Sequence, residues 1–150
     1  MFRTPLLFTV ALLIALSFAG AAAAQNKADE DKVHKLVIHL TSADPGAMNR
    51  TINNARNVSK HYGIGNIQIE IVANGPGLKM FHKDSKLRER LAGLHALGNV
   101  NFAVCANTMK AMKWTKADLL QDAFAQEAIV PAGLVRVIEL QESGWSYSRP

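Results

Sequence analysis

Apolar positions along the chain fall into short runs that alternate between two periods. Leu36-Val37-Ile38-His39-Leu40 is compact, rich in branched residues and closed by the polar pair Thr41-Ser42, so it reads as a mostly buried first strand. Asp44-Pro45 then opens a helix, with a carboxylate at the N-cap and proline at the first helical position; Met48, Ile52, Ala55 and Val58 recur at helical spacing until Gly63 stops it. A second strand is predicted over Ile67 to Ala73, where Ile67, Ile69 and Ile71 alternate with Gln68, Glu70 and Val72. Its partly polar face suggests a sheet edge or a strand under an oligomer contact. Asn74-Gly75-Pro76-Gly77 follows as a tight turn with exposed backbone N–H groups. A phosphate cradle is the other reading of that turn, but the Gly-Lys-Ser/Thr ending of a P-loop and the spacing of a dinucleotide fingerprint are both missing.

Asp84-Ser85 starts another helix, whose Leu87, Leu91, Leu94 and Leu97 form a stripe ending at Gly98. The stripe lasts barely three turns, so it is core and not a zipper. Phe102 and Val104 then alternate with Ala103 and Cys105 as in a short buried strand, and a helix is predicted from Thr108 to Trp114. Thr115-Lys116-Ala117-Asp118 resembles a capping box that starts a further piece through Phe124. Ala128-Ile129-Val130 is a short strand closed by Pro131-Ala132-Gly133. Leu134 to Glu142 fits helical spacing at 134, 137, 138 and 141 and half-fits a strand; helix is the choice. Trp145 and Tyr147 share one face of a final strand.

Strand alternating with helix implies right-handed crossovers and an α/β fold, a three-layer α/β/α sandwich around a mainly parallel sheet of about five strands. Thr41-Ser42, Asn74-Gly75 and Cys105-Ala106-Asn107 then share one carboxyl edge of the sheet. Ligands and reactive groups collect at that edge in open α/β sheets.

Composition sets the address and excludes partners. Arg3, the apolar run Leu6 to Phe18 and the small residues ending at Ala24 read as a secretory signal peptide cut after Ala24, with an uncleaved membrane anchor as the competing reading. Residues 25–32 are polar and read as a mobile arm, and the domain spans 33–150. The expected compartment is periplasmic or secreted, with no membrane association after cleavage. The formal charge of +5 is scattered, and its densest group (Lys79, Lys83, Lys86, Arg88, Arg90) is interrupted by Asp84 and Glu89 without aromatic interleaving. A solvated helix face explains it, and nucleic-acid binding is not expected.

The single cysteine stands out against an oxidising compartment. Lacking a partner in its own chain, Cys105 is buried, paired to another molecule or kept as a reactive thiol. Partial positive charge at a helix N-terminus favours thiolate, whereas a lone cysteine in an apolar run also serves as a small buried hydrophobe. Asn107 and Thr108 would orient the loop beside it. Lys110 is either a cation for the anionic sulfur or a solvent-facing lysine. Histidines 34, 39, 61, 82 and 95 make no metal signature and read as surface or packed residues, and neither a metal nor a cofactor is expected.

The phrase V-C-A-N-T-M around Cys105, the N-G-P-G turn and the ending V-P-A-G-L-V-R-V-I-E-L-Q-E-S-G-W-S-Y-S-R-P resemble the DsrE/DsrF-like family of sulfur-relay proteins over roughly Val33 to Pro150. That resemblance implies a compact α/β/α protein assembled as a trimer or hexamer, with sulfur carried as a persulfide on Cys105. It also implies a sulfur donor or acceptor protein, or a small sulfur compound, as partner. The open alternative is a ligand-binding or structural homo-oligomer with an inert buried cysteine. The Met80-Phe81 segment and the Trp145-Tyr147 tail are the candidates for an oligomer contact, or else intramolecular core.

Overall fold

A computed structural model describes residues 33–120 and 128–150. The predicted signal peptide (1–24), the arm (25–32) and the helical piece running to Phe124 lie outside the described residues, apart from the start of that last piece. Val33–Pro150 forms one compact unit. Its strands are β1 (His34–Leu40), β2 (Ile67–Ala73), β3 (Val100–Cys105), β4 (Ile129–Val130) and β5 (Ser146–Ser148). Its helices are α1 (Pro45–Tyr62), α2 (Arg88–His95), α3 (Ala106–Met112) and α4 (Gly133–Glu142), with 3-10 helices at Gly75–Phe81 and Lys116–Asp118.

The five strands form a single sheet in the order β4-β3-β2-β1-β5, with every pairing parallel. From β1 to β4 each crossover steps the same way across the sheet, so right-handed connections place their helices on one face. The last crossover, from β4 back to β5, runs the opposite way. Right-handedness therefore puts α4, alone among the described helices, on the other face. The packing agrees: Ile38, Ile71 and Phe102 face the large cluster that holds Ile52 of α1 and Leu91 and Leu94 of α2, whereas Val37, Val72 and Ala103 meet Val137 and Leu140 of α4.

Local chemistry explains most boundaries. Asp44 caps α1 by accepting from Ala47 N at 2.7 Å, and Gly63 ends it at φ 85°, as the sequence predicts. The capping box is present, with the Asp118 carboxylate accepting from Thr115 N–H and Oγ1 at 2.9 and 3.0 Å. Leu134 to Glu142 is helical.

Three expectations are corrected. β2 is not at an edge, because it pairs with β1 on one side and β3 on the other. Its polar residue Glu70 is buried under α4, where Arg136 grips both carboxylate oxygens at 2.7 Å through Nε and Nη2. The N-G-P-G stretch is not a bare turn with free amides. It begins a 3-10 helix that buries Leu78, Met80 and Phe81 completely, which removes Met80-Phe81 as an oligomer contact. The leucine helix starts at Arg88 and not at Asp84-Ser85, because 82–87 is held in turns by Ser85 N to His82 O and by Arg88 N to Ser85 O.

Candidate functional site

Cys105 is the last residue of β3 and the residue immediately before α3, so its side chain projects from the carboxyl edge of the sheet. Side-chain parity puts it on the α4 face, in the set Val72, Asn74, Ala103 and Cys105. The reversed crossover brings a second helix start to the same spot. A Cβ placed on Gly133, the first residue of α4, would lie 3.0 Å from Asn74 Cβ and 3.3 Å from Cys105 Cβ. Glycine is what lets the backbone of α4 come this close to the thiol.

Two segments, the starts of α3 and α4, aim donors at the sulfur. Burial opposes the thiolate, but a hydrogen bond from the Thr108 hydroxyl and bonds from the backbone N–H groups of Gly133, Thr108 and Asn107 outweigh it, so the Cys105 thiol ionises below its ordinary range. Asn107 N–H is shared, because it also donates to Pro131 O at 3.3 Å. Thr108 is oriented from behind: Gly75 N–H donates to its Oγ1 at 2.9 Å, which leaves the hydroxyl proton for the sulfur. The N-G-P-G loop thus reaches the cysteine through Thr108, with its first amide already used. Gly77 N–H donates to Asn74 O, and a Cβ on Gly77 would run into the Leu40 carbonyl, so close backbone packing accounts for this glycine.

Cys105 is only 4% exposed. The cover is shallow, because the residue sits at the edge of the sheet under loop and helix-start backbone. A thiolate so placed is a nucleophile sheltered from bulk oxidant.

The family model described as "DsrE/DsrF-like family" matches residues 9–147. The chain belongs to the DsrE/DsrF-like family. Sulfur relay is associated with this family in general. Among solved structures, the chain is similar to a protein of unknown function from Methanobacterium thermoautotrophicum, with 27% identity and a TM-score of 0.70 over 78% of this chain and 99% of that one. No curated protein matches the chain.

This DsrE/DsrF-like chain does not bring every predicted site residue to the thiol. Cys105, Thr108, Asn74 and Gly75 come together. Thr41 lies farther along the edge, where its Oγ1 accepts from Arg149 Nη2 at 3.2 Å. Ser42 serves the start of α1, accepting from Asp44 N–H at 3.0 Å. Lys110 is exposed on α3 and is not among the groups that act on the Cys105 thiol. Two contributors were not anticipated. Gly133 read only as a strand terminator, although its place between a strand and an amphipathic helix marks it as a helix start. His39 reads only as a surface or packed histidine; it is 7% exposed, and its ring nitrogens lie 3.0 Å from Asn74 Oδ1 and 3.2 Å from Tyr147 Oη. Burial is the main reason that its pKa falls, so the ring is neutral near pH 7.

Proposed function

We propose that this DsrE/DsrF-like protein is a sulfur carrier, or sulfurtransferase, that holds sulfane sulfur as a persulfide on Cys105. The observation that carries this reading is the convergence of the Thr108 hydroxyl and the Gly133 and Thr108 amides on one thiol at the sheet's carboxyl edge. In the loading step the Cys105 thiolate attacks the outer sulfur of a donor persulfide R–S–SH. The donor S–S bond breaks, a new S–S bond forms at Cys105, and the donor leaves as R–S⁻. Charge and electrons balance without an external oxidant. The same step in reverse, with an acceptor thiolate as the attacking group, unloads the carrier. The donors keep Cys105 ionised as the attacking group in loading and stabilise it as the leaving group in unloading.

The proposed setting is extracytoplasmic, and it rests on the sequence pattern of residues 1–24 alone. Intact mass of the protein from its native envelope tests the cut after Ala24. The proposed assembly is a homo-oligomer, a trimer or hexamer. Leu134, Val135 and Ile138 support it, because they stand half-exposed on the outer side of α4 while Val137 and Leu140 face the sheet.

Incubating the native protein with a sulfane-sulfur donor and weighing the Cys105 peptide tests the carrier reading. An adduct of about +32 Da, one sulfur atom, is expected on the native protein and is lost in Cys105→Ser, which keeps its fold. The 4% exposure of Cys105 favours a second reading, an inert cysteine in a ligand-binding or structural oligomer. On that reading no adduct forms on native Cys105.

A further inference from the structure

The carboxyl edge holds a polar chain that the loading step does not use: Tyr147 on β5, His39 on β1 and Asn74 just past β2, running across the sheet toward Cys105. Ala73 and Val104 are register partners, so Asn74 and Cys105, one residue further on, leave adjacent strands side by side. Both lie against Gly133. Asn74 Oδ1 can only accept, so His39 Nε2 carries the ring proton and donates to it at 3.0 Å. In the neutral ring Nδ1 is then the acceptor for the Tyr147 hydroxyl at 3.2 Å. His39 lies on the β1 side of Asn74 and Cys105 on the β3 side. With its oxygen held toward β1, the Asn74 amide has its NH2 group directed away from His39. Among the described residues that NH2 group has no partner, and it makes no hydrogen bond to the thiol itself.

We propose that the Asn74 NH2 group is the donor for the terminal sulfur of the loaded state, and that His39, fixed by Tyr147, is the positioning residue that aims it. A persulfide extends about 2 Å beyond Sγ, the length of one S–S bond, and places its negative charge on the outer atom. The donors around Cys105 Sγ serve the thiolate; the Asn74 amide serves the added sulfur. It is a discriminating contact, because it is made only after loading. Hydrogen bonds to charged groups are the stronger ones, so its loss costs about tenfold or more in the loading constant.

This assignment rests on the carrier reading, and the experiment separates the two. The full chain is equilibrated with the persulfide of glutathione and with glutathione, and the loaded fraction is read by intact mass. Alkylation of the unloaded thiol by iodoacetamide and thermal melting are followed in parallel. Asn74→Ala is expected to lower the loading constant about tenfold while unloaded Cys105 alkylates within about twofold of the native rate, a split that a merely structural role would not produce. Asn74→Asp, nearly isosteric, removes both donors and adds a like charge, so it loads less than Asn74→Ala and guards against a packing artefact. His39→Leu falls with Asn74→Ala, and His39→Gln, whose amide can donate from near the Nε2 position, recovers most of the loss. A native protein that loads alongside Asn74 variants that load equally well overturns the assignment and leaves the carrier reading standing. A native protein that takes up no sulfur overturns both.

Discussion

The two faces of the sheet are built for different work. One carries α1, α2, α3 and the 3-10 helix Gly75–Phe81 over a continuous apolar cluster in which Ile52, Leu78, Phe81, Leu91 and Leu94 are fully buried. Among the described residues the other carries only α4, over a small patch of Val37, Val72, Ala103, Val137 and Leu140. The buried His39 and Glu70, and the shallowly covered Cys105, all lie on this thinner face. A single covering helix leaves room at its start for polar groups that need partners and access. A thick apolar layer would have stranded them. Stability and chemistry are thus divided between the faces.

The largest effect expected from this division is on the thick face. Ile52→Ala leaves a cavity beneath α1 and should cost about 2 to 5 kcal/mol in chemical denaturation, while the variant that remains folded loads sulfur normally. A loading defect that tracks this loss of stability would erase the distinction between faces. Next comes Arg136→Met on the thin face. It leaves Glu70 buried without its partner, and should cost about 2 kcal/mol, below the cost for a fully interior pair because Arg136 keeps part of its side chain in water. Here stability and chemistry should change together: α4 loses its grip on β2, Gly133 drifts from the sulfur, and the apparent pKa of Cys105 rises. Unchanged thiol reactivity in Arg136→Met would show that α4 is not held in place through Glu70.

Local signals place most of the elements. Asp44-Pro45, Gly63 and the Thr115 to Asp118 box name their own boundaries, and the alternation around Cys105 identifies the strand end that bears it. Asn74, Gly75 and Thr108 were legible as site residues because each follows a strand at the same edge. What escaped depends on contacts between distant segments. Glu70 signals an edge strand until Arg136, far along the chain, is known to lie over it. Gly133 and His39 join the site only because β4 crosses back over the sheet and β1 lies beside β2. Strand order decides both, and strand order is not written in the period of any one segment. The 3-10 helix was missed for a different reason: Pro76 and two glycines outweighed the apolar Leu78, Met80 and Phe81 that follow.

The central claim is that the donors around Cys105 make a nearly buried thiol reactive, and the pH dependence of its alkylation tests this most directly. Its folded-state pKa is depressed, so the thiolate is present in the native protein at pH values where a free thiol is still protonated. The rate of iodoacetamide modification of native Cys105 should rise with pH through an inflection below about 8.5, the value for an ordinary thiol, and Thr108→Val should move that inflection upward. An inflection at or above the ordinary value in the native protein, or modification that occurs only on unfolding, would contradict the account.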